Sequence, residues 1–571
     1  MSAQVEIAES KEVPTSRVSH SHNPTLRFGA LWLIVVLALV PRIYWMVTQT
    51  PVISLEGSEY VRMAQNLAHG HGLVGNFEGP ETMYTPFFSL LTAGLGILTR
   101  DEELAAHLIA LAFGTALIFP VFFIARRIYG NRVAYVSALL VAFHPLLIAL
   151  SASIYNENVY LPLLLAGVYF GMQALEFGRN RDYILLSLCL SFAYLTRPEA
   201  FAYPAFFVAA SWVGVLLRRI SVRRAATASG LTLGVFILIA SPYIGFLYAH
   251  TEHLRLEGKW NINYTIANRL RAGMNDDEAA YGLAPDSSVA GPLLAPYKFA
   301  AYSPYRNTLI DKVQTLWAMA RRNRRSVSSS LLDHSLGSPL FLGLVPLGLF
   351  RKAWNRRRLF HEVVVICIAF SILFLWVTSS SAEFRYVFPL VPLGVLWVAK
   401  GAVELGQWSR GLVCSLRLRC LPTPTRMGMV VEGMLLLLTC AIALGSTQGD
   451  WLFRSEQREN LDIKEASLWL RNYSLGPKRI VCHATVPTYY AQGTLIGLPY
   501  AASAQALRYI DSKNADFILL DAQYVGHFPA VADWIKNGIP DKRARLIYEL
   551  GTDPTRKIQI YRWEKRPLGS Q

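Results

Sequence analysis

Hydrophobic residues occur in long blocks along this chain, and the charged residues fall mainly between those blocks. A bilayer core about 30 Å thick takes about 20 apolar helical residues to cross. The pattern therefore predicts an α-helical polytopic membrane protein with eleven spans. The predicted spans cover residues 28–48, 104–125, 132–150, 158–176, 183–196, 200–217, 229–249, 336–350, 362–379, 386–400 and 428–446.

A twelfth apolar block, from Pro86 to Thr99, is too short for an ordinary span and suits an interfacial or re-entrant segment. If it does not cross, the basic loops share one side of the membrane with the N-terminus, and the positive-inside rule makes that side cytoplasmic. The arginine cluster at 321–325 is an exception at the end of a long outer loop, where the rule holds poorly.

This topology divides the chain into three parts. Residues 1–27 form a disordered cytoplasmic tail, residues 28–446 the membrane domain, and residues 447–571 an extracytoplasmic domain. The membrane domain carries two large outer segments, a first loop (49–103) and a long loop (250–335). The last part is predicted to be a small α/β domain, because a helical pattern is followed by short apolar strands. The helix covers 456–473, and the strands cover 479–482, 516–520, 546–550 and 557–563.

Composition agrees with a membrane protein, since 53% of the residues are hydrophobic and 16% are charged. Soluble domains average about 25% charged residues. The net charge of +16 does not indicate nucleic acid as a partner, because the basic residues lie in short clusters between apolar blocks. The six cysteines form neither a disulfide framework nor a zinc spacing.

The first loop contains an amphipathic helix, predicted at 58–69, with apolar residues at helical spacing. We expect it to lie flat on the membrane with Glu59 on its exposed side. Glu56 precedes its N-terminus, where the helix dipole favours a carboxylate. A carboxylate held ionised there suits a general base acting on a hydroxyl group. The same position also suits a plain helix-capping role.

Other charged residues interrupt apolar sequence on the outer side, where charges are costly unless paired or functional. They are Glu157 in the second loop, Arg197 and Glu199 in LTRPEAF, Glu383 and Arg385 in SAEFRYVFPLVP, and Arg42 near the end of the first span. Arginine suits a phosphate because its planar fork binds two oxygens at once. Glu157 could instead be a solvated loop acid, and Arg42 could reach lipid headgroups.

Several motifs, in this order, resemble the GT-C membrane glycosyltransferases, and especially the group of protein O-mannosyltransferases and the aminoarabinose transferase of lipid A. They are PRIYW, Glu56 four residues before Tyr60, AQNLAHGHGL, YTPFFSLL, RRIYGNRVA, SIYNENVYLPLL, LTRPEAF and FRYVFPLVP, spread over about residues 28–400. The family usually has aspartate at the position of Glu56, often followed by glutamate, whereas Gly57 follows here.

The resemblance implies an inverting transfer of a hexosyl or pentosyl group from a polyprenyl-phosphate carrier to a lipid or protein hydroxyl, outside the bacterial inner membrane. It implies Glu56 as the base, with Tyr60, Glu157, Glu199, Glu383 and the three arginines binding substrate. Relatives differ in their need for a divalent cation, and no residue cluster demands one, so the metal stays open.

Two other classes of protein remain as alternatives. A polytopic transporter typically shows paired halves with broken helices at matching positions, and the sequence shows no such halves. A non-catalytic relative that only binds glycolipid is favoured by the departure at Glu56 and Gly57. An activity assay with a lipid-linked sugar separates this relative from an enzyme.

Overall fold

The computed structural model describes residues 24–283, 291–301, 308–331, 339–381, 383–415 and 460–565, with isolated helical positions between 430 and 441. The predicted tail lies outside the described residues except for its last four positions, which begin the first helix. The predicted span at 428–446 also lies mostly outside them.

The part of the chain before residue 416 is helical, with short 3-10 turns at Pro198–Phe201 and Phe384–Val387. Its helices are α1 Pro24–Gln49, α2 Leu55–Ala68, α3 Phe87–Thr99, α4 Glu102–Ala116, α5 Ile118–Tyr129, α6 Asn131–Phe143, α7 Pro145–Ala152, α8 Glu157–Phe177, α9 Asn180–Thr196, α10 Ala202–Leu216, α11 Val222–Thr251, α12 Trp260–Arg271, α13 Asp276–Tyr281, α14 Pro296–Ala301, α15 Leu309–Ser330, α16 Pro339–Phe350, α17 Arg356–Thr378 and α18 Leu390–Ser415.

Within the described residues, six helical segments are long and apolar enough to cross a bilayer, and the bent pair α6–α7 makes a seventh. The multi-pass character of the chain is confirmed, whereas the count of eleven spans stays a prediction. Helix α3 has 13 residues, about 20 Å at 1.5 Å per residue, which is less than the bilayer core of about 30 Å. That α3 does not cross also stays a prediction.

Arg42 lies inside the helix bundle at a break between α6 and α7, where the axis bends by 55°. The break follows from Pro145, which has no N–H to donate to the preceding turn. Arg42 donates from Nη2 to the carbonyl oxygen of Val141 at 3.1 Å, and from Nη1 to that of Ala142. Its side chain therefore stabilises carbonyl groups that the broken helix leaves without partners.

The C-terminal part forms the predicted small α/β domain. Its helices are α19 Leu461–Tyr473, α20 Thr485–Ala491, α21 Ser503–Ser512, α22 Ala522–Val525 and α23 Val531–Asn537, and its strands are β1 Arg479–Cys482, β2 Thr494–Gly497, β3 Phe517–Asp521, β4 Ala544–Leu550 and β5 Ile558–Trp563. The strand order is β2-β1-β3-β5-β4. Strand β1 is parallel to β2 and β3, while β5 is antiparallel to β3 and β4.

The C-terminal domain shares a hydrophobic core with the first loop. One cluster of buried side chains contains Val61 and Phe88 from the first loop together with Ile480, Tyr490 and Leu495 from the domain. Because the apolar surfaces of the two parts are buried together, the domain packs firmly on the first loop.

Candidate active site

Glu56 lies in the first turn of α2, which begins three residues earlier than the sequence pattern predicts. Ser54 is the N-cap, and its Oγ accepts a hydrogen bond from the amide of Gly57 at 3.1 Å. Gly57 packs so closely that an added Cβ would lie 2.9 Å from the carbonyl oxygen of Ile154. The larger residue that the family often has after its acid would not fit at this position.

Beside this turn lies a cavity of about 720 Å³ with a charged part and an apolar part. The charged part contains Glu56, Tyr60, Arg197, Glu199, Lys259 and Arg385. The apolar part contains Phe201, Met319, Ile372, Leu375 and Trp376. A cavity of this size is within the range that holds small molecules, with a few polar groups to orient them.

The carboxylate of Glu56 is held between two cations. Arg385 contacts its Oε2 through Nη1, and Lys259 places Nζ 3.8 Å from its Oε1. Burial raises the pKa of Glu56, but the charges of Arg385 and Lys259 outweigh burial and lower this pKa to about 2. Glu56 is therefore an anion over the whole physiological range of pH.

Arg197 is a further fixed cation of the cavity. Its guanidinium contacts the carboxylates of Glu157 and Glu199, and it faces the ring of Tyr386 at 5.8 Å from the centroid. Burial lowers the pKa of Arg197, but Glu199 and Glu157 outweigh it and raise this pKa well above the ordinary value. Glu157 is fully buried behind Arg197, so it is neither a solvated loop acid nor part of the cavity lining.

Most of the site residues that the sequence suggests line this one cavity, and the three that do not are Glu157, Glu383 and Arg42. Glu383 contacts Arg385, but its side chain is 45% exposed and does not line the cavity. Arg42 is bound to the helix break described above and is absent from the cavity lining. The structure does not support its assignment to a phosphate site, because Nη1 and Nη2 donate to the backbone carbonyl groups of Ala38, Val141 and Ala142.

Further polar residues of the cavity, among them Asn156, Lys259 and Glu257, were not predicted from sequence. Asn156 donates to the hydroxyl of Tyr60 at 2.5 Å and so fixes that ring. Lys259 and Glu257 come from the long loop and line the same cavity. Burial, and then Glu199, raise the pKa of Glu257 to about 7. Asn156 stands in the motif SIYNENVY, whereas nothing in the sequence around Lys259 or Glu257 distinguishes them from ordinary loop residues.

Glu59 is buried rather than exposed, which corrects the sequence-based prediction. Residues 73–81 fold over it, and its two oxygens accept hydrogen bonds from the amide and side chain of Asn76, at 2.8 and 2.7 Å. Glu81 lies beside it, and its Oε1 accepts hydrogen bonds from the amide groups of Met83 and Tyr84. Burial raises the pKa of both carboxyl groups, and that of Glu81 strongly. The site therefore favours the neutral form of these acids more than water does.

No group of three or more histidine, cysteine, aspartate or glutamate side chains is arranged to hold a metal ion in the described part of the chain. The need for a divalent cation stays open, as it was from the sequence.

Comparison with known proteins agrees with this architecture. Residues 83–245 match the family described as dolichyl-phosphate-mannose-protein mannosyltransferase. No curated protein matches the chain by sequence. Among solved structures, the chain is similar to the archaeal oligosaccharyltransferase AglB from Archaeoglobus fulgidus in complex with an inhibitory peptide and a dolichol-phosphate. The TM-score is 0.57 at 13% identity, over 95% of this chain and 75% of that one.

A second similar structure is ArnT from Cupriavidus metallidurans bound to undecaprenyl phosphate, with a TM-score of 0.52 at 13% identity, over 93% of this chain and 98% of that one. The chain thus has the fold of the GT-C membrane glycosyltransferases, and the resemblance drawn from its motifs is confirmed at the level of fold.

Proposed function

We propose that this chain transfers a sugar from a polyprenyl-phosphate carrier to an acceptor hydroxyl, outside the bacterial inner membrane and with inversion at the anomeric carbon. One observation carries the proposal. A single cavity holds an ionised carboxylate, Glu56, together with the cations Arg197, Lys259 and Arg385 beside an apolar section. The similar structures that hold dolichol-phosphate and undecaprenyl phosphate support the choice of carrier.

In the proposed reaction, Glu56 takes the proton of the acceptor hydroxyl while the acceptor oxygen attacks the anomeric carbon. The bond between that carbon and the phosphate oxygen of the carrier breaks, and its electron pair leaves on the phosphate. Arg197, Lys259 and Arg385 stabilise the negative charge that develops there. A single displacement of this kind inverts the configuration at the anomeric carbon.

Glu56 is a weak base while it contacts Arg385, because its pKa of about 2 lies far below a working pH near neutrality. The carrier phosphate offers Arg385 a partner with more charge and a matching geometry. When Arg385 turns to the phosphate, the pKa of Glu56 rises and the carboxylate becomes a stronger base. Donor binding and activation of the base are then one event.

The apolar part of the cavity suits the first isoprene units of the carrier. Ile372, Leu375 and Trp376 belong to α17, a helix long and apolar enough to span the bilayer, and Met319 of α15 lines the same cavity. An isoprenoid chain entering here would stay in an apolar environment while its phosphate reaches the cations.

The test is a transfer assay with the purified protein in lipid nanodiscs. Polyprenyl-phosphate hexoses and pentoses serve as donors, and lipid extracts and peptides serve as acceptors, with products identified by mass. We expect the wild type and Glu56→Asp to transfer sugar and Glu56→Gln to have lost this activity. If the wild type and Glu56→Gln bind the carrier equally well and neither transfers sugar, the chain is a non-catalytic relative. If the protein moves the sugar-linked lipid across the membrane of vesicles without transferring the sugar, the chain is a transporter.

A further inference from the structure

The C-terminal domain contacts the turn of α2 that carries Glu56. Thr485 donates from Oγ1 to the carbonyl oxygen of Leu55 at 2.7 Å. Ser58 in turn donates from Oγ to Thr485 Oγ1, also at 2.7 Å. Thr485 and Ser58 are both buried. The two hydrogen bonds therefore hold the residues on either side of Glu56, at positions where water does not readily replace them.

A second contact fixes the segment that leads into α2. The hydroxyl of Tyr490 accepts a hydrogen bond from the amide of Ile53 at 3.0 Å and donates to Glu103 Oε1 at 3.0 Å. Lys464 donates to the carbonyl oxygen of Pro51 at 2.7 Å. The domain thus determines where the helix begins, and not only where its first turn lies.

The segment that covers Glu59 is bound to the same domain. The amide of Leu495 in β2 donates to the carbonyl oxygen of Asn76 at 2.7 Å, and Phe77 forms a parallel bridge with Leu495 at the edge of the sheet. Asn76 is also the residue that binds Glu59, and the same segment continues to Tyr84, whose ring packs on Tyr60 of α2 with 5.4 Å between the centroids. The domain therefore contacts α2 both directly and through the segment that covers it.

We propose that the C-terminal domain positions the candidate base Glu56. Thr485 and Tyr490 of α20 are the positioning residues, and they act by holding the start of α2. The expected effect on catalysis rests on the proposed function, whereas the contacts between the C-terminal domain and α2 do not depend on it. A base must stay within hydrogen-bond reach of the proton that it removes. A shift of about 1 Å at a reacting group can cost about 100-fold in rate, so loosening this turn should reduce turnover.

The experiment uses the full chain with the double substitution Thr485→Val and Tyr490→Phe, which keeps side-chain volume and removes both hydroxyl groups. The first readout is amide hydrogen exchange in residues 53–60, which needs no activity. We expect exchange there to rise about tenfold, since each net hydrogen bond contributes about 1 kcal/mol. The second readout compares the turnover number with the affinity for the donor carrier. The turnover number should fall about 10- to 100-fold, with little change in the dissociation constant of polyprenyl phosphate.

The third readout is the acidic limb of the pH–rate profile. A turn that relaxes away from Arg385 and Lys259 frees Glu56, whose pKa then moves toward the ordinary value of about 4.3. The acidic limb of the profile should therefore shift to higher pH. A general loss of folded protein would lower the rate at every pH without changing the pH of this limb.

Ser503→Ala is the matched control, because it removes a part-buried side-chain hydrogen bond of the same domain, from Trp534 Nε1 to Ser503 Oγ at 2.8 Å, away from α2. The control should leave exchange at 53–60 and the pH profile unchanged. Unchanged exchange in the double variant, or an equal effect in the control, overturns the positioning role. A wild type without transferase activity overturns the proposed function, while the exchange readout still decides on the link.

Discussion

Arg385 contacts the carboxylate of Glu56 through Nη1 and that of Glu383 through Nε. One guanidinium thereby joins a buried acid to an exposed one, and it faces the ring of Tyr386 at 5.6 Å from the centroid. Arginine does not lose its proton in proteins, so while the turn of α2 is held in place, Glu56 is released when another anion takes its place at Arg385. A phosphate in the cavity is the anion that the geometry suits best.

The strongest prediction concerns Glu56. Replacement by glutamine removes the proton acceptor, and a positioned base contributes typically 10²- to 10⁴-fold in rate. We expect Glu56→Gln to lose transfer by a factor in this range, and Glu56→Asp to retain activity because aspartate is usual in the family. The measurement is initial rate with saturating donor. Glu252→Gln, at an exposed position of the long loop, should behave like the wild type. A normal rate in Glu56→Gln would assign the base elsewhere.

Arg197 and Arg385 are expected to bind the carrier phosphate. Lysine keeps the charge but lacks the two-pronged geometry, and one hydrogen bond to a charged group contributes about 1.5–3 kcal/mol. Each lysine variant should therefore bind polyprenyl phosphate at least about tenfold more weakly, as measured by titration in nanodiscs. Arg324→Lys, on the exposed face of α15, serves as the control. Wild-type affinity in both variants would remove the two arginines from the site.

The carboxyl pair Glu59–Glu81 predicts a stability that depends on pH. The pKa of both acids is raised in the folded protein, so their contribution to stability is fully present below the ordinary pKa of glutamate, about 4.3, and is lost as pH rises through the raised values. We expect the thermal unfolding midpoint to fall as the pH is raised from about 4.3. Glu81→Gln should make the unfolding midpoint depend less on pH. The glutamine side chain can donate from its amide nitrogen to Glu59, while its oxygen still accepts from the amide groups of Met83 and Tyr84.

Glu59→Gln is expected to behave differently from Glu81→Gln. Both oxygens of Glu59 face donors of Asn76, so an amide nitrogen at either position meets a donor. The mismatch should cost about 1–3 kcal/mol and lower the unfolding midpoint at every pH. Equal stability of the two glutamine variants would contradict this difference between the surroundings of Glu59 and Glu81.

Arg42 should affect stability without affecting donor binding. Arg42→Met leaves the carbonyl groups of Val141 and Ala142 without their donor inside the bundle, at a cost of about 1–3 kcal/mol each. We expect a lower unfolding midpoint and an unchanged dissociation constant for polyprenyl phosphate. Weaker carrier binding in a variant of normal stability would restore Arg42 to the phosphate site.

Membrane topology is tested by reporter fusions after Arg100 and after Arg127. If α3 does not cross the bilayer, the first fusion reports an external position and the second a cytoplasmic one. The N-terminus is then cytoplasmic and the C-terminal domain external. The opposite pair of signals would show that α3 crosses and that the assignment of sides is reversed.

Much of the fold follows from the sequence because its signals are local. Apolar blocks of span length gave the long helices, and the four predicted strands of the C-terminal domain are present within about two residues. Strand β2 was missed because its sequence TLIG has few apolar residues and follows Gly493. Its place in the sheet comes from pairing with β1, which lies on the other side of α20.

The site was predictable where charge interrupts apolar sequence, as at Arg197 and Arg385. It was not predictable where long-range packing decides. Glu59 has the helical spacing of an exposed residue, yet residues 73–81 and the C-terminal domain cover that side of α2. Lys259 reaches Glu56 from the long loop, and no local pattern reports a contact over that separation.

The link between the C-terminal domain and α2 also concerns how the protein is made. Ile53 and Tyr490 are separated by 437 positions, and Leu55 and Thr485 by 430. Because synthesis proceeds from the N-terminus, α2 leaves the ribosome early and waits for nearly the whole remaining chain before its partners exist. The nascent protein can therefore insert its helices and meet carrier lipids before its base is in place. If the domain positions the base as proposed, the site is complete only after residues 485–490 have been synthesised, and chains released before that point should reach the membrane inert.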